Sequence, residues 1–125
     1  MMTNVPEDVT LETPASRVAV VSFTGEHDLG TRDEIRDLLT RLVHDNRLVV
    51  TDFSKAQFVD SSILAAVRSS ARLARDRGVT FRVQLGTAPI VAMSFKVSGV
   101  LDELECVPTR EEALSDASSG ADSGS

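Results

Sequence analysis

Two hydrophobic periods alternate along this chain, and that alternation limits the folds open to it. Arg17 to Phe23, Arg47 to Phe53 and Val79 to Leu85 are rich in β-branched residues and have the length of strands. Between the first two, Ile35, Leu38, Leu39, Leu42 and Val43 recur at helical spacing. Between the second and third, Leu64, Val67, Ala71 and Ala74 do the same, joined by Ile63, Ala66, Ser70 and Leu73. Strands that alternate with helices imply an α/β layered domain: a mixed, mainly parallel sheet of four to five strands with helices packed on it.

Local signals place the boundaries. Val9 to Thr13 reads as a short first strand and Pro14-Ala15 as a turn. Thr31 with Glu34 has the spacing of a capping box, so the first helix is predicted over Thr31 to His44, broken by Asp45-Asn46. Ser54 to Gln57 reads as a connector, and Phe58-Val59 as a return to the sheet edge. The second helix is predicted from about Ser61 to Arg77, with Arg68, Arg72, Arg75 and Asp76 outward and Gly78 as terminator. A third helix is predicted from Ala88-Pro89 through Ile90, Val91, Met93, Phe95 and Val97, stopping at Ser98-Gly99. Leu104 to Val107 then reads as a short edge strand, and Thr109 to Glu112 as the capped start of a last helix. Residues 1–114 are expected to form one domain. Ser115 to Ser125 is Ser, Gly, Asp and Ala, with almost nothing to bury, and is expected to be disordered.

Composition narrows the function. With 125 residues the chain has material for one core, and 42% apolar content is ordinary for a globular domain. The formal charge of -6 argues against nucleic acid or anionic lipid as partner, because phosphates would not be neutralised. The absence of Trp and Tyr removes stacking platforms for single strands. No apolar run approaches the roughly 20 residues of a membrane span. Met1 to Thr10 is polar and acidic, so no secretory signal is expected. The lone Cys106 suits a reducing cytoplasm. Arginine far outnumbers lysine, a leaning of GC-rich bacterial genomes.

The segment Phe58 to Val67 joins these threads. An apolar run ends at Asp60-Ser61-Ser62 and a helical pattern starts at once. Helix N-termini carry unpaired N–H groups and the positive end of the dipole, so negative charge is favoured there. A hydroxyl in that position can carry a phosphate without unfolding its surroundings. Taken locally, Asp60-Ser61 also reads as a plain helix cap, since Asp and Ser lead the N-cap ranking. Phe23 to Asp28 is a second acidic loop after a second strand.

Four pieces of sequence occur in an order similar to that of the STAS family, which contains the anti-sigma factor antagonists. Phe23-Thr24-Gly25-Glu26-His27-Asp28 is similar to the pattern hTGEhD, where h is apolar. Leu48 to Asp52 followed by Ser54 is similar to hhhDhS, Phe58 to Ser62 to hhDSSG, and Val97 to Leu101 to hSGhh. The resemblance spans about Arg17 to Leu114. It implies that Ser61 is a phosphoacceptor and that Thr24, Gly25, Glu26, Asp28, Asp60, Ser62, Ile63 and Leu64 meet a partner. It further implies an anti-sigma factor of serine-kinase type that binds the unphosphorylated form, and a phosphatase that restores it. Within the same family, a non-switching scaffold subunit of a transporter or signalling assembly is the alternative. Ile63 departs from the pattern's glycine and is expected on an exposed rim beside Ser61; His27 departs from an apolar position.

The remaining reactive groups have plain readings. His27 and His44 are far apart, with no Cys or His at metal-ligand spacing, and read as surface histidines. Cys106 reads as a small buried hydrophobe. No nucleophile–His–acid set, glycine-rich phosphate loop or metal cluster stands out, so neither enzymatic activity nor a cofactor is expected.

Overall fold

A computed structural model describes residues 9–27, 32–59, 61–85 and 104–115. The predicted third helix and the tail from residue 116 lie outside these. Strand β1 (Val9–Ala15) leads into β2 (Val18–His27), helix α1 (Arg32–Asp45), strand β3 (Leu48–Val59) and helix α2 (Ser61–Arg77). Strands β4 (Thr80–Gln84) and β5 (Glu105–Val107) follow, and helix α3 (Arg110–Ala113) closes the series. The five strands form one sheet in the order β1-β2-β3-β4-β5. Only β1 pairs antiparallel; β2, β3, β4 and β5 are parallel neighbours. The expected mainly parallel α/β sheet is therefore the one observed.

The sheet has two faces with separate cores. Ala19, Val21 and Phe23 of β2, Val49 and Phe53 of β3 and Val83 of β4 point toward α1 and α2. From the helices, Ile35, Leu38, Leu39, Leu42, Val43, Ile63, Leu64, Val67 and Ala74 fill the space against them. Phe23 and Phe53 stack with ring centroids 4.4 Å apart, both fully buried. On the opposite face, the alternate residues Val18, Val20, Leu48 and Val50 are covered by Ala113 of α3, with Val107 and Leu114 at the margin. Period-two alternation in central strands produces both cores at once.

Three helix ends follow the predicted chemistry, while Thr31, the predicted cap of α1, lies outside the described residues. Thr109 is the N-cap of α3, its Oγ1 accepting from Glu112 N at 3.1 Å. Asn46 donates to Leu42 O at 3.0 Å and closes α1. Gly78 has φ +74°, with Val79 N bonded to Ala74 O and Gly78 N to Arg75 O. That pair of bonds is the Schellman arrangement, which needs a left-handed residue after the helix.

Three boundaries differ from expectation. Pro14-Ala15 belongs to β1, which ends in an irregular register between Glu12 and Ala15; the turn is at Ser16-Arg17, where Arg17 takes φ 60°. An edge strand tolerates proline because one side of it needs no ladder donor. The Ser54–Gln57 connector is instead part of a single twelve-residue β3. Its polar residues fall at two register shifts, where β3 advances one residue more than β2, so alternation fails although the strand continues. Phe58-Val59 consequently continues the same strand, paired there with Glu26 and His27 of β2. Among the described residues, no helix is long and apolar enough to cross a membrane.

Candidate functional site

Strand β3 delivers the chain to the head of α2, and Ser61 is the first residue of that helix, with its side chain exposed. Ser62 is half-buried and engaged in an interaction. The first turn of α2 holds no acidic side chain, so the positive end of its dipole meets no carboxylate from within the helix.

The carboxyl end of β2 runs beside this junction. Thr24 is the register partner of Lys55, Gly25 of Ala56, Glu26 of Phe58 and His27 of Val59. The two segments singled out in the sequence, 23–27 and 58–61, therefore leave the same edge of the sheet side by side. Asp28 and Asp60 follow them in sequence and lie outside the described residues. Beneath, the stacked Phe23 and Phe53 rings support both strand ends. Thr24 is half-buried with a partner of its own, and Lys55 is exposed.

Ile63 and Leu64 correct the expectation of an apolar rim. They are 0% and 3% exposed and belong to the core under α2. A helix that starts at Ser61 turns residues 63, 64 and 67 inward at 100° per residue, so neither side chain offers surface to a partner.

On the other face of the sheet lies a polar network that sequence reasoning missed. Ser22, Asp52 and Gln84 are register partners in β2, β3 and β4, so their side chains form a row. Arg110 of α3 comes down on that row. Its Nη2 donates to Asp52 Oδ2 at 2.8 Å and to Ser22 Oγ at 3.4 Å, its Nε to Gln84 Oε1 at 3.1 Å and its Nη1 to Glu12 Oε1 at 3.1 Å. Asp52 Oδ1 accepts from Ser54 N at 2.8 Å. Burial alone would lower the Arg110 pKa; the hydrogen bond and charge of Asp52, then Glu12, outweigh it and the net shift is upward. Arg82 Nη1 donates to Ala113 O and Ser115 O and its Nε pairs with Glu105, so a second arginine holds the end of α3. The available signal was a polar residue near the end of each of three apolar strands, at one register level.

Other candidates stay quiet. His44 is exposed on α1, and no group of three or more His, Cys, Asp or Glu among the described residues could hold a metal ion. Cys106 is half-buried; burial, with a smaller contribution from the Glu105 charge, pushes its thiol up to about 11.

A five-stranded mainly parallel sheet, two helices on one face and a serine at the exposed head of the second define a class of small α/β module. The family model described as STAS domain matches residues 11–113, and the chain belongs to that family. Among solved structures, the chain is similar to the anti-sigma factor antagonist SpoIIAA in its unphosphorylated form, with TM-score 0.74, 23% identity, and 90% of this chain and 96% of that one covered. An anti-sigma factor antagonist from Mycobacterium paratuberculosis matches with TM-score 0.75 and 23% identity over 89% and 95%. The phosphorylated form of SpoIIAA, described as a Bacillus cell fate determinant, matches with TM-score 0.66 and 22% identity over 87% and 98%. A comparison with curated proteins finds no match.

Proposed function

We propose that this chain is an anti-sigma factor antagonist, a cytoplasmic binding protein and not an enzyme, gated by phosphorylation of Ser61. The observation that carries the reading is the exposed Ser61 at the head of α2, which follows β3 where that strand pairs with the end of β2. Its unphosphorylated surface binds an anti-sigma factor of serine-kinase type through Thr24, Gly25, Glu26, Asp28, Asp60 and Ser62. Ile63 and Leu64 support this surface from the core. SpoIIAA, similar in fold, is known in unphosphorylated and phosphorylated forms, which supports the same two states here.

The gating follows from charge. A phosphoserine adds about -1.5 to -2 charges, and the helix head can hold them without refolding. A partner seated on a small neutral hydroxyl must instead desolvate a dianion. Burying unpaired charge costs several kcal/mol, and about 1.4 kcal/mol is tenfold in affinity. Release follows without a conformational change, and a phosphatase acting on phospho-Ser61 resets the surface.

The test is incubation with ATP and each candidate kinase of the same genome, with phosphosites mapped by mass spectrometry. Ser61 is expected to be modified. Ser61→Ala is expected to bind the kinase and remain bound after ATP is added. Phosphate incorporation at an undiminished rate into Ser61→Ala would show the site to be elsewhere.

A further inference from the structure

The Arg110 network sits behind the strand that leads to Ser61. Asp52 is 5% exposed and its carboxylate is shared: Oδ2 takes the Arg110 guanidinium and Oδ1 takes the Ser54 N–H. Ser54 lies at the first register shift, where β2 advances from Ser22 to Thr24 while β3 advances from Asp52 to Lys55. A bulge re-aims the strand beyond it and needs its displaced backbone groups satisfied to persist. From Ser54 the strand runs as one piece to Val59 and α2 begins at Ser61. Two hydrogen bonds therefore connect the C-terminal helix to the irregularity that aims the serine.

The cavity beside this network, about 370 Å³ and lined by Glu12, Ser22, Asp52 and Arg110 among others, is not read as a ligand site. Arg110 and Asp52 are already occupied by each other and by their neighbours. Such a network holds geometry.

We propose that Arg110 is a positioning residue for the Ser61 site: through Asp52 it fixes the bulge at Ser54 and so the path of β3 into the head of α2. The functional part of this inference rests on the reading of Ser61 as phosphoacceptor; the structural part does not. Without Arg110, Asp52 turns toward water or another donor, Ser54 N–H loses its acceptor, and Lys55 to Val59 can slide against β2. The phosphoacceptor is then offered in several registers instead of one.

Amide hydrogen exchange of the full chain tests it, comparing Arg110→Gln, Arg110→Lys, Asp52→Asn, the Arg110→Gln/Asp52→Asn double variant and the control Ala113→Ser. The control weakens the α3 contact of the second core without touching Asp52. Arg110→Gln is expected to speed exchange at residues 54–59, which pair with β2, by about tenfold relative to residues 18–21. Arg110→Lys should restore much of the protection. The double variant should add little to Asp52→Asn, since both remove one link. Should Arg110→Gln fail to fold, Asp52→Asn alone reads the same segment. Exchange that rises uniformly over the sheet, as expected of Ala113→Ser, or full additivity in the double variant, overturns the proposal. A kinase assay on the same variants reads the second half: a higher KM for the protein substrate with kcat nearly kept is expected. Local exchange as stated with no phosphorylation of the wild-type chain leaves the clamp standing and removes only the proposed function.

Discussion

A charge placed at residue 61 meets the amide end of a seventeen-residue helix whose first turn has no acidic side chain. Ser61→Asp is accordingly expected to raise stability by about 0.3–1 kcal/mol at low salt, read by urea unfolding, with the gain shrinking as salt is added. On the proposed function the same variant is expected to lose binding to the anti-sigma factor, so stability and binding move in opposite directions. Cys106 offers a second residue-level prediction. Its thiol holds its proton up to about pH 11 in the fold, against an ordinary value of 9.0. The unfolded chain then releases a proton that the native one keeps, so the stability contributed by this group is full below about pH 9 and is lost as pH rises toward 11. Urea midpoints measured from pH 8 to 11 should fall less steeply in Cys106→Ala than in the parent chain. At this scale the sequence is informative where the signal is local: Ser61 as the start of α2, Gly78 and Thr109 declare themselves within a few neighbours. Arg110 and Asp52, 58 residues apart, do not. Ile63 was misplaced because its motif position suggested a rim, whereas the helical phase that carries Leu64 and Val67 inward carries it too.

The elements show why some boundaries were legible and others were not. Helix α2 ends as Gly78 requires and buries the stripe its spacing predicts, and its terminator can be tested directly. A Cβ at Gly78 would meet nothing within 4 Å, so only backbone strain opposes Gly78→Ala. Left-handed geometry costs about 1–2 kcal/mol for a non-glycine residue, partly offset by a stiffer unfolded chain, and a net loss of about 1 kcal/mol is expected in thermal unfolding. Ile63→Ala should cost more, about 2–5 kcal/mol by chemical denaturation, because it empties a fully buried site between α2 and the sheet. A near-zero effect there would return Ile63 to the surface. The alternation of β3 predicts strand, connector and strand because Ser54 to Gln57 breaks it. The break is physical, two register shifts against β2, but pairing on the β2 side continues past it to Val59. Periodicity sees only the pleat; it cannot see a neighbour strand holding a bulged one in place.

For the molecule as a whole, alternation of strand and helix was enough to specify a parallel sheet covered by helices, since each crossover returns the chain to the same edge direction. It could not show that the second face has a core of its own, because Ala113 ends a short helix with little apolar surface and Leu114 is its C-cap. Truncation after Val107 removes that cover, the Arg82 bonds to its end and the Arg110 bonds from it to the sheet, and exposes Val18, Val20, Leu48 and Val50. It is expected to lower the urea midpoint more than any substitution above, with binding of a hydrophobic dye to the uncovered face. Helix α3 comes last in chain order among the described elements, yet it plugs strands made long before it. During synthesis, then, a ribosome releases β2, β3 and the serine-bearing helix while half of the sheet still lacks its lid. Only a polypeptide extended through Arg110 can hold the aspartate behind the bulge in place, so a translation product interrupted before it would carry Ser61 without the frame that presents it.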